Sequence, residues 1–180
     1  MMPRYVAFLR AINVGGHTVA MATLTKHFEE LGCSGVETVI ASGNVVFDAA
    51  SRSAAALEKK IAAHLEKRLG YAVATFLRTP DELVRIAAHR PFAKAELEAD
   101  GHSLFVGFHG NETDAAARRR IQALASAVDA FQHRGRELFW LCRARVSDSK
   151  VYGGALEKAL GQPATLRNVT TVRKIAEKYA

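Results

Sequence analysis

The chain has 180 residues, of which 49% are hydrophobic and 24% are charged, and its formal net charge at pH 7 is +7. These values are typical of a globular protein, and a chain of this length buries enough surface to fold without a metal ion or disulfide bonds. The sequence therefore excludes the membrane-spanning, disulfide-rich secreted and disordered classes. Because Cys33 and Cys142 are too few for a disulfide framework, we expect a soluble cytoplasmic protein with no membrane partner.

The first half of the chain alternates between strand and helix patterns in the order βαββαβ. The predicted elements are a strand over residues 5–11, a helix that ends at Gly32, a hairpin of residues 36–41 and 45–48, a helix that ends at Gly70, and a strand over residues 71–77. The second helix has the clearest pattern, because Leu57, Ile61, Leu65 and Leu69 recur at helical spacing.

A capping sequence then begins a further helix. Thr79 can cap the helix, Pro80 suits the first helical position, and Glu82 completes a capping box. Residues 93–102 form a polar connector without a regular period.

The second half repeats this order of elements. The predictions are a strand over residues 104–109, a helix marked by Ala117, Ile121, Leu124 and Val128, a hairpin of residues 130–133 and 137–142, a helix that begins near Val151 and ends at Gly161, a strand over residues 164–167, and a final helix. We expect the hairpin to turn near Arg134 and Gly135, because glycine tolerates the positive φ of a tight turn.

An internal duplication explains the repeated order. Leu77-Arg78 matches Leu166-Arg167, and Ile86-Ala87 matches Ile175-Ala176 at the same offset. We therefore predict an α+β protein with two tandem ferredoxin-like βαββαβ subdomains, each followed by a helix. The predicted domains are residues 1–92, and residues 93–180 with the connector at their start.

The sequence contains no recognised catalytic or metal-binding motif. The seven histidines form no H-x-H or H-x-x-x-H pattern, and the cysteines form no C-x-x-C pattern, so no zinc or iron site is predicted. Walker A, G-x-S-x-G and G-x-G-x-x-G motifs are missing as well. Asp148 and the histidines are candidate general bases by residue type alone, so the sequence identifies no catalytic residue and no cofactor.

The glycine loop after the first strand is a candidate ligand site. Gly15 and Gly16 permit a nest of backbone N–H groups for an anion, and a plain turn is the alternative. In a ferredoxin-like sheet, this loop and the turn at residues 42–44 share one edge, while the ends of the third and fourth strands of the second half form another polar cluster. The predicted ligand-binding residues are Arg10, Asn13, Gly15, Gly16, Ser42, Gly43, Asn44, Lys150, Arg167 and Asn168.

Several motifs resemble a bacterial family, domain of unknown function 1697. They are residues 8–16 (FLRAINVGG), residues 42–47 (SGNVVF), Leu77-Arg78-Thr79, Ser149-Lys150 and residues 165–172 (TLRNVTTV). The resemblance implies two similar α+β subdomains and, because the family is uncharacterised, no particular activity. The family usually has Trp after the Arg-Asn pair, where this chain has Val169. If that Trp stacks on a ligand, this chain lacks the contact; if it packs, Val169 is a smaller core residue.

We predict that the chain binds a small phosphate- or carboxylate-bearing ligand in a cleft between the two subdomains. Arg10, Lys150 and Arg167 would supply positive charge, and the Asn and Ser side chains would orient the ligand.

Two alternatives stay open. The dispersed positive charge could give weak, salt-sensitive and non-specific binding of nucleic acid, although residues 42–47 lack the aromatic residues of a base-stacking sheet. The chain could instead be a structural or oligomerising protein in which Asn, Ser and Gly only form turns and helix caps. The sequence does not indicate an oligomeric state.

Overall fold

The computed structural model describes residues 1–40, 43–151 and 154–180. In these ranges the chain forms eight strands, seven α-helices and one 3₁₀ turn. The strands are β1 (Arg4–Leu9), β2 (Ser34–Thr38), β3 (Asn44–Asp48), β4 (Thr75–Arg78), β5 (Ser103–His109), β6 (Asp129–Arg134), β7 (Glu137–Cys142) and β8 (Ala164–Asn168). The helices are α1 (Met21–Glu30), α2 (Ala54–Leu69), α3 (Pro80–Ala88), α4 (Lys94–Leu97), α5 (Ala115–Gln122), α6 (Ala155–Leu160) and α7 (Val169–Tyr179), and the 3₁₀ turn is Val146–Asp148.

The strands form two four-stranded sheets with corresponding strand orders. The orders are β2-β3-β1-β4 and β6-β7-β5-β8, and neighbouring strands are antiparallel in both sheets. The protein is therefore of the mixed α+β class, as the sequence predicted. Among the described helices, none has the length and apolar character of a membrane span.

The chain divides into two compact units. Unit 1 comprises Met1–Arg85 and Lys174–Ala180, and unit 2 comprises Ile86–Arg173. Each unit contains one of the two sheets, and both boundaries between the units fall inside helices, in α3 and in α7.

In unit 1, helices α1 and α2 cover one face of the sheet. Tyr5, Ala7 and Leu9 alternate along β1 and belong to a buried cluster with residues of both helices, including Leu24, Phe28, Ile61 and Leu65. Val6 and Phe8 lie on the opposite face and are also fully buried. Because β1 is buried on both faces, its sequence is a continuous apolar run.

In unit 2, Trp140 of β7 is the largest fully buried side chain. Its ring stacks on Phe105 of the neighbouring strand β5, with 4.9 Å between the ring centroids. Helices α5 and α6 contribute Ile121, Leu156 and Leu160 to the same buried cluster. Aromatic side chains dominate core energetics because of the area that they bury, so this stack anchors the helices to the second sheet.

A buried carboxylate binds the polar edge of the Trp140 ring. Trp140 Nε1 donates a hydrogen bond to Asp129 Oδ1 at 2.8 Å. Ser149 Oγ lies 2.9 and 3.0 Å from the two carboxylate oxygens of Asp129 and accepts from the backbone N–H of Val151 at 3.2 Å. Ser149 therefore connects β6 and β7 to the loop that follows the 3₁₀ turn.

The capping box of α3 is confirmed. The backbone N–H of Thr79 donates to Glu82 Oε2 at 2.7 Å, and the backbone N–H of Glu82 donates to Thr79 Oγ1 at 3.2 Å. The second hairpin is confirmed too, because Arg134 pairs with Glu137 and Gly135 has a φ of 58°.

Some element boundaries differ from the prediction for local reasons. Strand β4 begins at Thr75 and not at residue 71, where the Tyr71 hydroxyl instead donates to the carbonyl of Ile12 at 3.1 Å. Helix α5 ends at Gln122, and Ser126 Oγ then accepts from the N–H groups of Val128 and Asp129 in a turn. The polar connector contains α4, and α6 begins only at Ala155.

We expect replacement of Ser149 to destabilise the protein. Ser149→Ala leaves one side of the buried Asp129 carboxylate without its hydroxyl donor, and hydrogen bonds to charged groups contribute about 1.5–3 kcal/mol. Urea denaturation should show a loss of this order. Ser147→Ala, at an exposed position of the same loop, is the matched control and should change the free energy of unfolding by less than about 0.5 kcal/mol. Equal effects of the two variants would contradict the network.

The stability of the protein should depend on pH through His133. In the described part of the chain, neither ring nitrogen of His133 has a hydrogen-bond partner, and burial, followed by the positive charge of Arg118, lowers the pKa of His133. As the pH falls through the ordinary histidine pKa of about 6.5, His133 is protonated in the unfolded chain but stays neutral in the folded protein. The free energy of unfolding therefore decreases.

His133→Met should remove this acid-side slope without loss of stability at neutral pH, because it eliminates an unpartnered buried polar group. His102→Gln is the control and should keep the slope. An unchanged pH dependence of unfolding in His133→Met would show that His133 is not its source.

Candidate functional site

The loop edge of unit 1 comprises the end of β1, the glycine loop of residues 10–19 and the described part of the loop between β2 and β3. The backbone N–H of Leu9 donates to the carbonyl of Gly43 at 2.8 Å, and that of Arg10 donates to the carbonyl of Ala74 at 2.9 Å. These bonds join the start of the glycine loop to Gly43 and to the segment that precedes β4. Ser42, a predicted ligand residue, lies outside the described residues.

Asn44 is a structural residue of this edge. Its side chain is 2% exposed, and Nδ2 donates to the carbonyls of Val39 and Ile40, both at 3.1 Å. Ile40 has a φ of 49°, which is unfavourable for a β-branched residue. The buried amide therefore holds a strained loop conformation, and strain of this kind is common near functional sites.

Asn13 organises the glycine loop in the same way. Its Oδ1 accepts a hydrogen bond from the backbone N–H of Val19 at 2.7 Å and so closes the loop. Gly15 and Gly16 have φ values of 64° and 83°, and no atom lies within 4 Å of a Cβ built on either of them. Open, left-handed backbone of this kind is compatible with a nest for an anion. The Asn13 amide oxygen, by contrast, is occupied within the loop.

In unit 2, Arg167 lies on β8 and is partly buried. It is opposite Val106 of β5, just as Arg78 on β4 is opposite Val6 of β1. The guanidinium Nη1 of each arginine donates to the carbonyl of the preceding leucine, at 2.7 Å for Arg78 and 2.9 Å for Arg167. Arg167 Nη1 also donates to Thr165 Oγ1 at 2.7 Å, and burial lowers the pKa of Arg167 to about 10.

The last two predicted residues of unit 2 have different environments. Lys150 is exposed and follows the buried Ser149, so only the second residue of the Ser149-Lys150 motif faces solvent. Asn168 precedes the first residue of α7 and caps this helix, since its Oδ1 accepts from the backbone N–H of Thr170 at 2.9 Å.

Asn168 also lines a cavity of about 170 Å³ at the N-terminus of α7, here called the α7 pocket. Most of its lining is polar, and the lining residues are Leu97, His102, Ser103, Leu104, Asn168, Val169, Thr170 and Arg173. The Nδ1 of His102 bonds the carbonyl of Glu96 at 2.8 Å, which fixes the orientation of the ring. The pocket thus combines an arginine, hydroxyl groups and a helix N-terminus, the usual components of an anion site.

Sequence reasoning missed most of this pocket. Arg173 and Thr170 are in the first turns of the C-terminal helix, Ser103 is the first residue of β5, and His102 precedes it. A lone arginine in a helix has no motif. The one available signal was the Asn168 cap, because a predicted helix N-terminus next to an arginine indicates anion affinity.

The comparisons with known proteins identify a family and a fold. A family model described as a protein of unknown function, DUF1697, matches residues 2–139, which confirms the resemblance found in the sequence; the motifs at residues 149–172 lie beyond the match. The conserved bacterial protein SP0830 from Streptococcus pneumoniae has a similar structure, with a TM-score of 0.75 and 22% identity over 100% of both chains. At this identity the similarity establishes the fold alone. No curated protein matches the chain.

We expect Ile40→Asn to stabilise unit 1. Asn tolerates the left-handed conformation that costs other residues about 1–2 kcal/mol, and Ile40 is 46% exposed, so little apolar burial is lost. Chemical denaturation should show a gain of up to about 1 kcal/mol. Ile40→Val keeps the β-branch and should give no gain. A loss of stability in Ile40→Asn would show that packing of the Ile40 side chain outweighs the backbone strain.

Proposed function

We propose that this chain, which belongs to the DUF1697 family, binds a small phosphate- or carboxylate-bearing ligand. The observation that supports the proposal best is the α7 pocket, where Arg173, Asn168 and Thr170 surround a helix N-terminus. A cavity of about 170 Å³ is smaller than the roughly 300–1,000 Å³ that hold a whole drug-sized ligand. It therefore suits one anionic group, with the remainder of the ligand outside.

Each component of the pocket would have a distinct part in binding. The dipole of α7 favours negative charge at its first turn, and Arg173 can donate two parallel hydrogen bonds to one anionic group. The hydroxyls of Ser103 and Thr170 can donate as well. Of the other predicted ligand residues, Lys150 and Arg167 of the same unit would attract the anion by their positive charge.

A comparison of α3 with α7 favours the N-terminus of α7. At α3, the carboxylate of Glu82 accepts from the backbone N–H of Thr79 and places a negative charge beside the helix N-terminus. Thr171 occupies the matching position in α7, whose first turn contains no acidic residue. The first turn of α3 thus contains its own acidic residue and the first turn of α7 does not, so an external anion can fill that role at α7.

We also propose that the two units are ferredoxin-like copies that arose by duplication. The corresponding strand orders and the matching positions of Arg78 and Arg167 support this origin. Superposition of the two sheets and their helices in an experimental structure tests it, and a mismatch in element order would refute it.

A cytoplasmic location belongs to the same proposal. Cys33 and Cys142 are both free and buried, which suits a reducing compartment. Fractionation of cells that express the tagged protein would test this, and recovery outside the cytoplasm would contradict it.

Binding is best tested with inorganic phosphate as the probe, in calorimetric and NMR titrations. Arg173→Ala should weaken phosphate binding about 10- to 100-fold, because it removes a charged donor worth about 1.5–3 kcal/mol. Arg119→Ala removes the same charge from an exposed position on α5 and should leave the affinity nearly unchanged.

Two further variants separate binding from helix stability. Asn168→Asp keeps an acceptor at the cap, and Thr171→Glu places a carboxylate where α3 has Glu82; both favour the helix and repel an anion. Each should weaken phosphate binding while thermal stability holds or rises. If Arg173→Ala, Asn168→Asp and Thr171→Glu bind phosphate as strongly as the Arg119→Ala control, the α7 pocket is not an anion site. The same conclusion follows if the unaltered protein does not bind phosphate.

A further inference from the structure

Two histidines and a glutamate meet between helices α1 and α2 of unit 1. Glu30 Oε2 lies 3.3 Å from His27 Nδ1 and 3.1 Å from His64 Nε2, and the three residues can each offer one ligand atom within 4.8 Å of those of the other two. His27 and Glu30 are one turn apart at the end of α1, and His64 faces them from α2.

We propose that His27, Glu30 and His64 form a binding site for a divalent transition-metal ion of the zinc type. Two imidazole nitrogens with one carboxylate are an established donor set for Zn²⁺, and imidazole also suits Ni²⁺, Cu²⁺ and Fe²⁺. Calcium and magnesium are disfavoured because they require mainly oxygen ligands.

The observed distances suit tetrahedral coordination. With metal–ligand bonds of about 2.0–2.2 Å, the ligand atoms of a tetrahedral zinc site are about 3.3–3.6 Å apart. The two separations from Glu30 Oε2, 3.1 and 3.3 Å, are close to this range, and ligand atoms of all three residues lie within 4.8 Å of one another, so side-chain rotations would bring them into place. Water would complete the coordination, because the described residues provide three ligands.

The two histidines are held by the protein scaffold, and Glu30 is accessible to an ion from solvent. The side chains of His27 and His64 are 11% and 17% exposed, whereas that of Glu30 is 25% exposed. Phe28 and Ile61, near His27 and His64 in sequence, are fully buried in the core. Helices that are anchored in this way hold ligands precisely, which raises metal affinity.

Arg68 competes with a metal ion for the same carboxylate. Its Nε lies 3.0 Å from Glu30 Oε2, and its side chain is 47% exposed. In the protein without metal, Arg68 therefore offsets the charge of Glu30, and it has room to move aside when an ion binds. This arrangement predicts that removal of Arg68 strengthens metal binding. If the cluster were only an ion-pair network, removal of Arg68 would lower the stability of the protein and would not affect its affinity for metal.

Sequence patterns alone do not reveal this cluster. The only local signal is His27-x-x-Glu30 on a helix, and His64 follows far along the chain on a separate helix. Sequence motifs for zinc require close spacing within a pair of ligands, so a site with one ligand pair and one distant histidine forms no recognisable pattern.

The test is titration of the full chain with Zn²⁺ by calorimetry, and with Co²⁺ by visible absorption, above the ordinary histidine pKa of about 6.5 so that the imidazoles are neutral. We expect saturable one-site binding and the visible bands of tetrahedral Co²⁺. His64→Asn and Glu30→Gln should each weaken Zn²⁺ binding at least about tenfold, and Arg68→Gln should strengthen it.

Glu29→Gln, at the exposed position beside Glu30, is the matched control and should bind Zn²⁺ as the unaltered protein does. Thermal unfolding in the presence of a chelator verifies that each variant folds, and His64→Gln provides a second replacement if His64→Asn is unfolded. Absence of saturable binding, or equal affinity in His64→Asn, Glu30→Gln and Glu29→Gln, would overturn the proposal and leave an ion-pair network between two helices.

Discussion

Burial of the central strands on both faces is the constraint on which the rest of this structure depends. Along β1, side chains of both faces are buried, from Tyr5 and Ala7 on the helix side to Val6 and Phe8 on the other. In β5, Val106 and Phe108 on one face are fully buried, and Gly107 between them, on the other face, is buried as well. A strand enclosed in this way has no room for unpaired polar groups, so polar chemistry is confined to strand ends, loops and helix surfaces.

This constraint explains why so many amides at the strand ends bond to backbone. Loops next to a buried sheet must satisfy their own N–H and C=O groups, and Asn13 and Asn44 do so with their side chains. Asn168 performs the same task at the start of α7. The three amides therefore have defined structural roles, and Asn168 also lines a pocket. A capping residue beside a cavity can serve both purposes, since its carbonyl oxygen caps while its NH₂ group can donate to a ligand.

Strong local signals were sufficient to predict most of the fold. The capping box at Thr79, the glycine of the second hairpin and the spacing from Leu57 to Leu69 each encode one element within a few residues. The segment before β4 has the composition of a strand, but the Tyr71 hydroxyl bonds the carbonyl of Ile12 instead, a tertiary contact that no local pattern reveals. The same limit applies to function, because the α7 pocket and the His27–Glu30–His64 cluster join residues that are distant in sequence.

The two units have corresponding strand orders but differ in their chemistry. In unit 2, helices α5 and α6, which follow β5 and β7 in the chain as α1 and α2 follow β1 and β3, are joined by a hydrogen bond from Arg120 Nε to the carbonyl of Ala159 at 2.8 Å. One arginine and a main-chain oxygen are thus enough to connect such a pair of helices. Joining two helices therefore does not require the two histidines and the glutamate of unit 1, and burial of partly polar side chains is costly unless they are well bonded.

The N-termini of α3 and α7 differ as well. A carboxylate of unit 1 accepts a hydrogen bond at the N-terminus of α3, whereas α7 in unit 2 begins with an amide beside a polar cavity. Because the sheets are buried, the chemistry that distinguishes the two units is found at helices and strand ends, and the two candidate binding sites lie at such positions.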